Sequence, residues 1–230
     1  MEIHVLQHVP FEGPGSVASW AEQRGHRLNI VHLYRGEFLP TPAETNMLIV
    51  MGGPMGANDT AIYPWMAEEK RLIRQLLEAS QVPILGICLG SQLIASCLDQ
   101  EVAPGPVMEV GWHPIQLTPT ASSDRVAWPE GLVPLHWHRD TFTLPPAAKR
   151  LASTKDFPNQ AFRWDERVVG LQFHFEATPE SVALLCAEAS EDLGHSVWQQ
   201  PYADITDCHE RCAATRPMLY ALLDDLAEQV

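Results

Sequence analysis

The stretch Val82-Pro-Ile-Leu-Gly-Ile-Cys-Leu-Gly-Ser-Gln92 joins a short apolar run to a segment with helical spacing. A nearly continuous apolar run of this length is typical of a parallel strand that is buried on both faces. Gly86 and Gly90 flank Cys88, and residues this small let a strand and the following helix approach each other closely. We therefore predict a strand over 82–87, a helix over 89–98, and Cys88 at the tight turn between them.

Predicted strands and helices alternate throughout the first hundred residues. Apolar runs predict strands over 3–7, 28–33 and 47–51, and amphipathic spacing predicts helices over about 16–24 and 64–79, the first capped by Ser16. Such alternation is typical of parallel strands joined through helices that cover both faces of a sheet. The predicted fold class is thus α/β, with an open, mostly parallel sheet and helices on both faces.

The second half of the chain is predicted to be richer in strands. Candidate strands lie at 107–117, 151–153, 160–162 and 168–175. A helix is predicted to begin after Thr178, whose hydroxyl can cap it, and the helical tail is predicted to break at Pro217. Because no linker or repeat interrupts the chain, we expect one domain over 1–230 with a helical C-terminal extension from about 191 to 230.

Charge and composition narrow the classes of function. The 230 residues include 15 basic and 29 acidic side chains, which gives a formal net charge of −14. A surface this acidic repels phosphate backbones and anionic lipids, so we expect neither nucleic acid nor a membrane as a partner. No apolar run approaches the roughly 18 residues of a membrane span, and the N-terminus lacks an export signal. The five cysteines, an odd and sparse set, predict free thiols and a cytoplasmic protein.

Cys88 is the candidate nucleophile. At the first turn of the predicted helix, the partial positive charge of the helix N-terminus favours the thiolate over the thiol. The backbone N–H of Leu89 would point towards the same place and could bind an oxyanion. The alternative is a buried structural cysteine, which is our prediction for the four cysteines without flanking glycines, Cys97, Cys186, Cys208 and Cys212.

His174 and Glu176 form a candidate base and its orienting acid. Residues 169–176 alternate as a strand does, so these two side chains share one face. Two residues along a strand span about 6.6 Å, which lets the carboxylate reach the imidazole. A nucleophile, a base and a group that orients the base make up a catalytic triad.

A metal site is a competing hypothesis. His136, His138 and Asp140 occupy alternate positions, so on a strand they would share a face and could hold one ion. Such a site would make the protein a metallohydrolase, but it would leave the glycines around Cys88 unexplained. We instead expect Trp137 and the neighbouring imidazoles to form a pocket wall, and we predict that no metal is bound.

Three motifs together resemble the class I glutamine amidotransferases. Gly86-Ile-Cys-Leu-Gly-Ser-Gln92 is followed, 86 residues after its cysteine, by His174-Phe-Glu176. The earlier Gly52-Gly-Pro-Met55 is similar to that family's oxyanion loop. The resemblance implies a flavodoxin-like sheet and an enzyme that needs no cofactor.

The resemblance also implies a role for each matching residue. Cys88 corresponds to the nucleophile, His174 to the general base and acid, and Glu176 to the residue that orients His174. The backbone amides of Gly53 and Leu89 correspond to the oxyanion hole.

Substrate contacts are implied for three further residues, Gln92, His138 and Asp140. Gln92 corresponds to a residue that contacts the bound glutamine. His138 and Asp140 belong to a segment that lies beside the α-amino and carboxylate groups of the substrate.

Within the family, the chain is most similar to stand-alone members related to the amidotransferase domain of GMP synthetase. Such proteins release ammonia from the side-chain amide of glutamine through a γ-glutamyl thioester, and they commonly carry or dock with a synthetase. These 230 residues leave no room for a synthetase. Three hypotheses follow: an amidotransferase or glutaminase with a separate synthetase partner, a γ-glutamyl hydrolase or peptidase with the same triad, and an ammonia-supplying subunit that depends on its partner for activity.

Overall fold

The structure, a computed structural model, describes residues 1–79, 81–193 and 197–230. Its strands are β1 (Glu2–Gln7), β2 (Arg27–His32), β3 (Met47–Val50), β4 (Ile84–Ile87), β5 (Val102–Trp112), β6 (Gln116–Leu117), β7 (Leu135–Phe142), β8 (Lys149–Ser153), β9 (Ala161–Trp164), β10 (Val168–Leu171) and β11 (Trp198–Gln199). Its α-helices are α1 (Ser16–Gln23), α2 (Pro64–Ala79), α3 (Leu89–Cys97), α4 (Pro179–Glu188), α5 (Tyr202–Thr206) and α6 (His209–Ala227). The alternation predicted for the first hundred residues is therefore confirmed.

The main sheet brings the ends of four parallel strands together. Within the described residues its strand order is β2-β1-β3-β4-β10-β9-β8-β6. The pairings from β2 to β10 are parallel, and those from β10 to β6 are antiparallel. The predicted open, mostly parallel sheet is confirmed. Ligands of such sheets bind outside the carboxyl ends of the strands. We therefore expect a site at the segments that follow β1, β3, β4 and β10.

Helices cover both faces of this sheet, as the sequence predicts. One face packs against α1 and α6, and its core includes Val5, Trp20, Leu85, Leu222 and Leu226. The other face packs against α2 and α3, and its core includes Val50, Leu72, Leu76, Ile84 and Leu93. Among the described residues, no helix has both the length and the apolar character that a membrane span requires.

A smaller sheet supports the site from the side. Its order is β11-β5-β7, with β5 and β7 antiparallel. β7 carries His136 and His138, and Leu135 at its start forms a single antiparallel bridge with His174. This bridge links the two sheets at the carboxyl edge of the main one.

Strand β10 is shorter than predicted, because it ends at Leu171 and not at Phe175. The chain then leaves the main sheet: the His174 N–H donates to the Leu135 carbonyl at 2.8 Å. The alternation nevertheless persists, since Phe173 and Phe175 lie in the core while His174 and Glu176 lie in the site. The prediction of a shared face was right although the strand prediction was too long.

The predicted break at Pro217 is wrong, because α6 runs through it. A proline inside a helix costs about 3 kcal/mol. Burial of a leucine contributes about 1.5–3 kcal/mol, and Leu219, Leu222, Leu223 and Leu226 of α6 are all fully buried. Packing therefore outweighs the local penalty.

Ser16 does not cap α1, contrary to the prediction. Gly15 is the N-cap, with φ 51°, and a Cβ on it would lie 2.1 Å from the carbonyl oxygen of Glu176. The Ser16 N–H donates to that same carbonyl at 2.9 Å. A contact with a distant segment thus fixes the start of α1, whereas α4 begins as predicted, with the Thr178 side chain accepting from Ser181 N–H.

The described part of the range 191–230 contains a short strand as well as helices. β11 interrupts it and pairs with β5, and α5 and α6 follow. Residues 194–196, which the helical prediction also covered, lie outside the described residues.

Candidate active site

Cys88 lies at a strained turn between β4 and α3. Its backbone has φ 51° and ψ −110°, in the region where few residues other than glycine occur. A Cβ on Gly86 would come within 2.6 Å of the Gly90 backbone, and one on Gly90 would come within 2.1 Å of the Val50 carbonyl oxygen. Both flanking glycines are therefore needed for close contact of strand and helix. Cys88 as a whole is only 5% exposed, and it lines a cavity.

His174 and Glu176 form a short, buried pair. Nδ1 of His174 lies 2.6 Å from Oε1 of Glu176, and the two residues are 4% and 6% exposed. The His174 backbone is fixed by its bond to Leu135, and the Glu176 backbone by its bond to Ser16. Tertiary backbone bonds thus hold the two residues side by side.

Cys88 and His174 meet beside Gly52. The Cys88 Cβ and the His174 Cε1 lie 3.4 Å and 3.2 Å from the point where a Cβ on Gly52 would stand. Burial opposes a charged imidazole, but the Glu176 carboxylate raises the pKa of His174 well above its ordinary value. The site thus brings a thiol, an imidazole and a carboxyl group together.

The two residues predicted to form the oxyanion hole, Gly53 and Leu89, lie close together. Leu89 is the first residue of α3, so its N–H has no acceptor within the helix. Gly53 follows β3 and lines the same cavity as Cys88. A Cβ on Gly53 would lie 3.1 Å from the Leu89 side chain, which shows how closely the two segments approach.

The cavity in front of Cys88 has a volume of about 470 Å³. All three residues predicted to bind substrate line this cavity: Gln92, His138 and Asp140. The Gln92 side chain donates to Oε1 of Gln172 at 3.2 Å and to the Asp140 carbonyl at 3.4 Å. Trp137 forms part of the wall, as predicted, and its carbonyl lies 3.7 Å from the Cys88 sulfur.

Gln172 borders the candidate nucleophile, Cys88, although no motif pointed to it. Its Nε2 lies 3.7 Å from the Cys88 sulfur, and its side chain is fully buried. The alternation of residues 169–176 could have indicated Gln172, because it places this residue on the same face as His174 and Glu176. An amide donor at this place can stabilise negative charge on the sulfur.

Glu12, in the segment after β1, adds another carboxyl group beside Cys88 and His174. Its Oε2 would lie 2.2 Å from a Cβ on Gly52, the same point that Cys88 and His174 surround. Burial raises the pKa of Glu12. In the sequence, only its position after the first strand indicated that Glu12 could lie near the site.

The structure groups His136 and His138 with Glu109 and not with Asp140. Oε2 of Glu109 lies 3.3 Å from Nδ1 of His136 and 3.1 Å from Nε2 of His138, and the three residues are buried. Their spacing would permit a metal ion. The same oxygen also accepts a hydrogen bond from Gln160 at 2.6 Å, whereas neither ring nitrogen of His136 makes a hydrogen bond with a described residue. Burial lowers the pKa of His136 to about 4, which keeps this ring neutral.

Comparison with known proteins identifies the class. The family model described as glutamine amidotransferase class-I matches residues 16–184. The match spans the turn at Cys88, the Gly52-Gly53 loop and the His174–Glu176 pair. The chain belongs to the class I glutamine amidotransferase family.

Similar proteins support this assignment. The glutamine amidotransferase-like protein YfeJ of Salmonella typhimurium is 36% identical over 199 residues, which cover 84% of this chain and 83% of that protein. A solved glutamine amidotransferase from Methylobacillus flagellatus superimposes with a TM-score of 0.92 at 28% identity, covering 100% of this chain and 95% of that one. A glutamine-hydrolysing GMP synthase of Caldanaerobacter subterraneus is 34% identical over 104 residues, 42% of this chain but 19% of that protein. The superposition on the Methylobacillus flagellatus structure confirms the flavodoxin-like fold expected from the resemblance.

Proposed function

We propose that the protein releases ammonia from the side-chain amide of glutamine, with Cys88 as nucleophile, His174 as general base and acid, and Glu176 as the residue that orients His174. One observation carries the proposal: the buried His174–Glu176 pair meets Cys88 at the N-terminus of α3. Family membership supports an amidotransferase-type reaction.

The first half-reaction forms a γ-glutamyl thioester. The Cys88 thiolate attacks the side-chain carbonyl carbon of glutamine, and the oxygen takes up the negative charge. The N–H groups of Gly53 and Leu89 stabilise this oxyanion, each by roughly 3–4 kcal/mol in comparable sites. The His174 imidazolium then protonates the departing nitrogen, and the C–N bond breaks to release ammonia.

The second half-reaction regenerates the thiolate. His174, now neutral, takes a proton from a water molecule, and the resulting hydroxide attacks the thioester carbonyl. The C–S bond breaks, glutamate leaves, and the imidazolium again faces the thiolate. Glu176 stabilises the imidazolium in both halves of the reaction.

Gln92, His138 and Asp140 are the proposed contacts to the rest of the substrate. The carboxyl group of Asp140 lines the cavity and can pair with the α-ammonium group of glutamine. The hydrogen bond from Gln92 to the Asp140 backbone links these two contacts. Glutamine would be held at one end by these groups and at the other by the oxyanion hole.

A synthetase that uses the ammonia is the proposed partner. The similarity to a glutamine-hydrolysing GMP synthase supports this idea, because 104 residues of this chain match 19% of the length of that protein.

Trapping of the covalent adduct tests the proposal. The protein is incubated with glutamine or with a series of γ-glutamyl amides, quenched in acid, and analysed by intact and peptide mass spectrometry. We expect a γ-glutamyl adduct on the peptide that contains Cys88, with its loss in Cys88→Ala and its retention in Cys97→Ala, a control for a buried cysteine elsewhere on α3. An adduct from a γ-glutamyl conjugate but none from glutamine would assign a γ-glutamyl hydrolase instead. Adducts that appear only when a synthetase is added would assign a partner-dependent subunit.

A further inference from the structure

His8 is a buried residue that the proposed reaction does not yet use. It follows β1 directly, and its side chain lies between α2 and the Gly52-Gly53 loop. Nδ1 lies 2.8 Å from the Gly52 carbonyl oxygen, and Nε2 lies 2.8 Å from Oε1 of Glu69. His8 and Glu69 are both 0% exposed, and the His8 ring stacks on Trp65 with ring centroids 5.6 Å apart.

Both ring nitrogens of His8 face acceptors. The Gly52 carbonyl can only accept a hydrogen bond, so Nδ1 must donate to it. The Glu69 carboxyl group holds Nε2 through a second hydrogen bond. Burial opposes a charge on the ring, but Glu69 raises the pKa of His8 above its ordinary value.

The bond to His8 controls the direction of one peptide group. The Gly52 carbonyl and the Gly53 N–H belong to the same planar, trans peptide unit, so they point in opposite directions. A carbonyl directed at His8 therefore directs the Gly53 N–H away from His8, and Gly53 lines the same cavity as Cys88. Glycine on both sides of this peptide leaves its φ and ψ angles weakly restricted, so the local backbone alone would not fix this orientation.

We infer that His8, held by Glu69, is a positioning residue for the oxyanion hole: it fixes the Gly52–Gly53 peptide with its N–H towards the reacting carbonyl and polarises that N–H. This inference rests on the proposed function. The carboxylate on α2 thereby acts on the reaction through three linked groups, Glu69, His8 and the peptide. The packing agrees, since a Cβ on Gly53 would lie 3.1 Å from the His8 Cβ.

Two amide variants separate the two hydrogen bonds of His8. The side-chain nitrogen of His8→Asn can occupy the place of Nδ1 and donate to Gly52, whereas that of His8→Gln can occupy the place of Nε2 and donate to Glu69. Two rates are measured for each full-length variant: formation of the γ-glutamyl thioester from glutamine in a single turnover, and alkylation of Cys88 by iodoacetamide. Alkylation requires the thiolate but forms no oxyanion, so it reports on the integrity of the nucleophile. His26→Gln is the matched control, because His26 packs on Trp20, away from the site.

We expect His8→Gln to slow thioester formation by about 10²–10³-fold, the effect of losing one oxyanion donor, with little change in KM. His8→Asn should retain most of the wild-type rate, and alkylation should be unchanged in both variants. Equal rates of thioester formation in the two variants would overturn the inference, as would a parallel loss of thioester formation and alkylation in His8→Gln. If the wild-type protein itself forms no thioester with any γ-glutamyl amide, the proposed function fails and the inference fails with it.

Discussion

Nδ1 of His174 lies 2.6 Å from Oε1 of Glu176, a short hydrogen bond between two buried groups. The two residues are two positions apart in sequence, but they do not belong to a strand of the main sheet, because β10 ends at Leu171. Their geometry is held by backbone bonds to β7 and to the start of α1.

Substitution of Glu176 tests the role of this bond. Glu176→Gln keeps the shape of the side chain but removes the charge that stabilises the imidazolium and selects its tautomer. We expect kcat for glutamine hydrolysis to fall by about 10²–10⁴-fold with little change in KM. Steady-state kinetics of ammonia release measure both. A variant with wild-type kcat would show that Glu176 does not act on His174 during the reaction. Glu78→Gln, on the exposed face of α2, is the matched control and should behave as wild type.

The same pair makes stability depend on pH. Because Glu176 raises the pKa of His174 above its ordinary 6.5, the pair stabilises the folded state fully below pH 6.5 and progressively less as the pH rises through the raised value. The loss of unfolding free energy caused by Glu176→Gln should therefore be larger at pH 6 than at pH 9. Urea unfolding measures this, with Cys88→Ala as the background so that the thiol does not contribute. An equal loss at both pH values would contradict the prediction.

Selective labelling should single out Cys88. Burial raises the pKa of Cys97 and Cys212 to about 12 and that of Cys186 to about 11, so these side chains are thiols at neutral pH. Alkylation needs a thiolate. One equivalent of iodoacetamide at pH 7.5 should label the Cys88 peptide first, as measured by peptide mass spectrometry. Comparable early labelling of Cys97 would show that Cys88 is not the activated thiol.

Gly90 should tolerate no side chain. The Cβ of Gly90→Ala would stand 2.1 Å from the carbonyl oxygen of Val50, a backbone atom that cannot move aside cheaply. We expect a loss of about 1–3 kcal/mol in the free energy of unfolding, the range for overpacking. Gly13→Ala is the matched control, because its Cβ would meet only ordinary contacts of 3.7 Å or more. Equal stability of the two variants in urea would refute the close contact at the turn.

The charge of the cavity should discriminate among substrates. Among the described residues, its lining includes the acidic residues Glu12, Asp140, Glu188, Glu191 and Asp192 and the basic residue Arg139. A γ-glutamyl amide whose leaving group carries a carboxylate should therefore bind more weakly than one whose leaving group carries an ammonium. We expect KM for γ-glutamyl-4-aminobutyrate to exceed that for γ-glutamyl-putrescine, with a smaller difference at high salt. Glu188→Gln should narrow the difference, and a preference for the anionic compound would contradict the prediction.

The sequence determined the local features of this protein, because each is encoded by neighbouring residues. The glycines around Cys88 predict the tight turn, since a side chain there would strike the facing backbone. The alternation of residues 169–176 predicts that His174 and Glu176 share a face, and that alternation survives the early end of β10. The order of strands and helices likewise predicts the parallel sheet and the edge at which the site lies.

Only the tertiary structure decided which distant groups meet. Strand order brings the residues after β1, β3, β4 and β10 to one edge, and this places Glu12 and Gly52 beside Cys88. No local pattern pairs His8 with Glu69, 61 positions later, because the contact arises from the packing of α2 against the end of β1. Helix α6 continues through Pro217 for the same reason: burial of its leucines outweighs a penalty that is visible in the sequence. Local propensities are read from neighbouring residues, whereas such contacts depend on the packing of the whole chain.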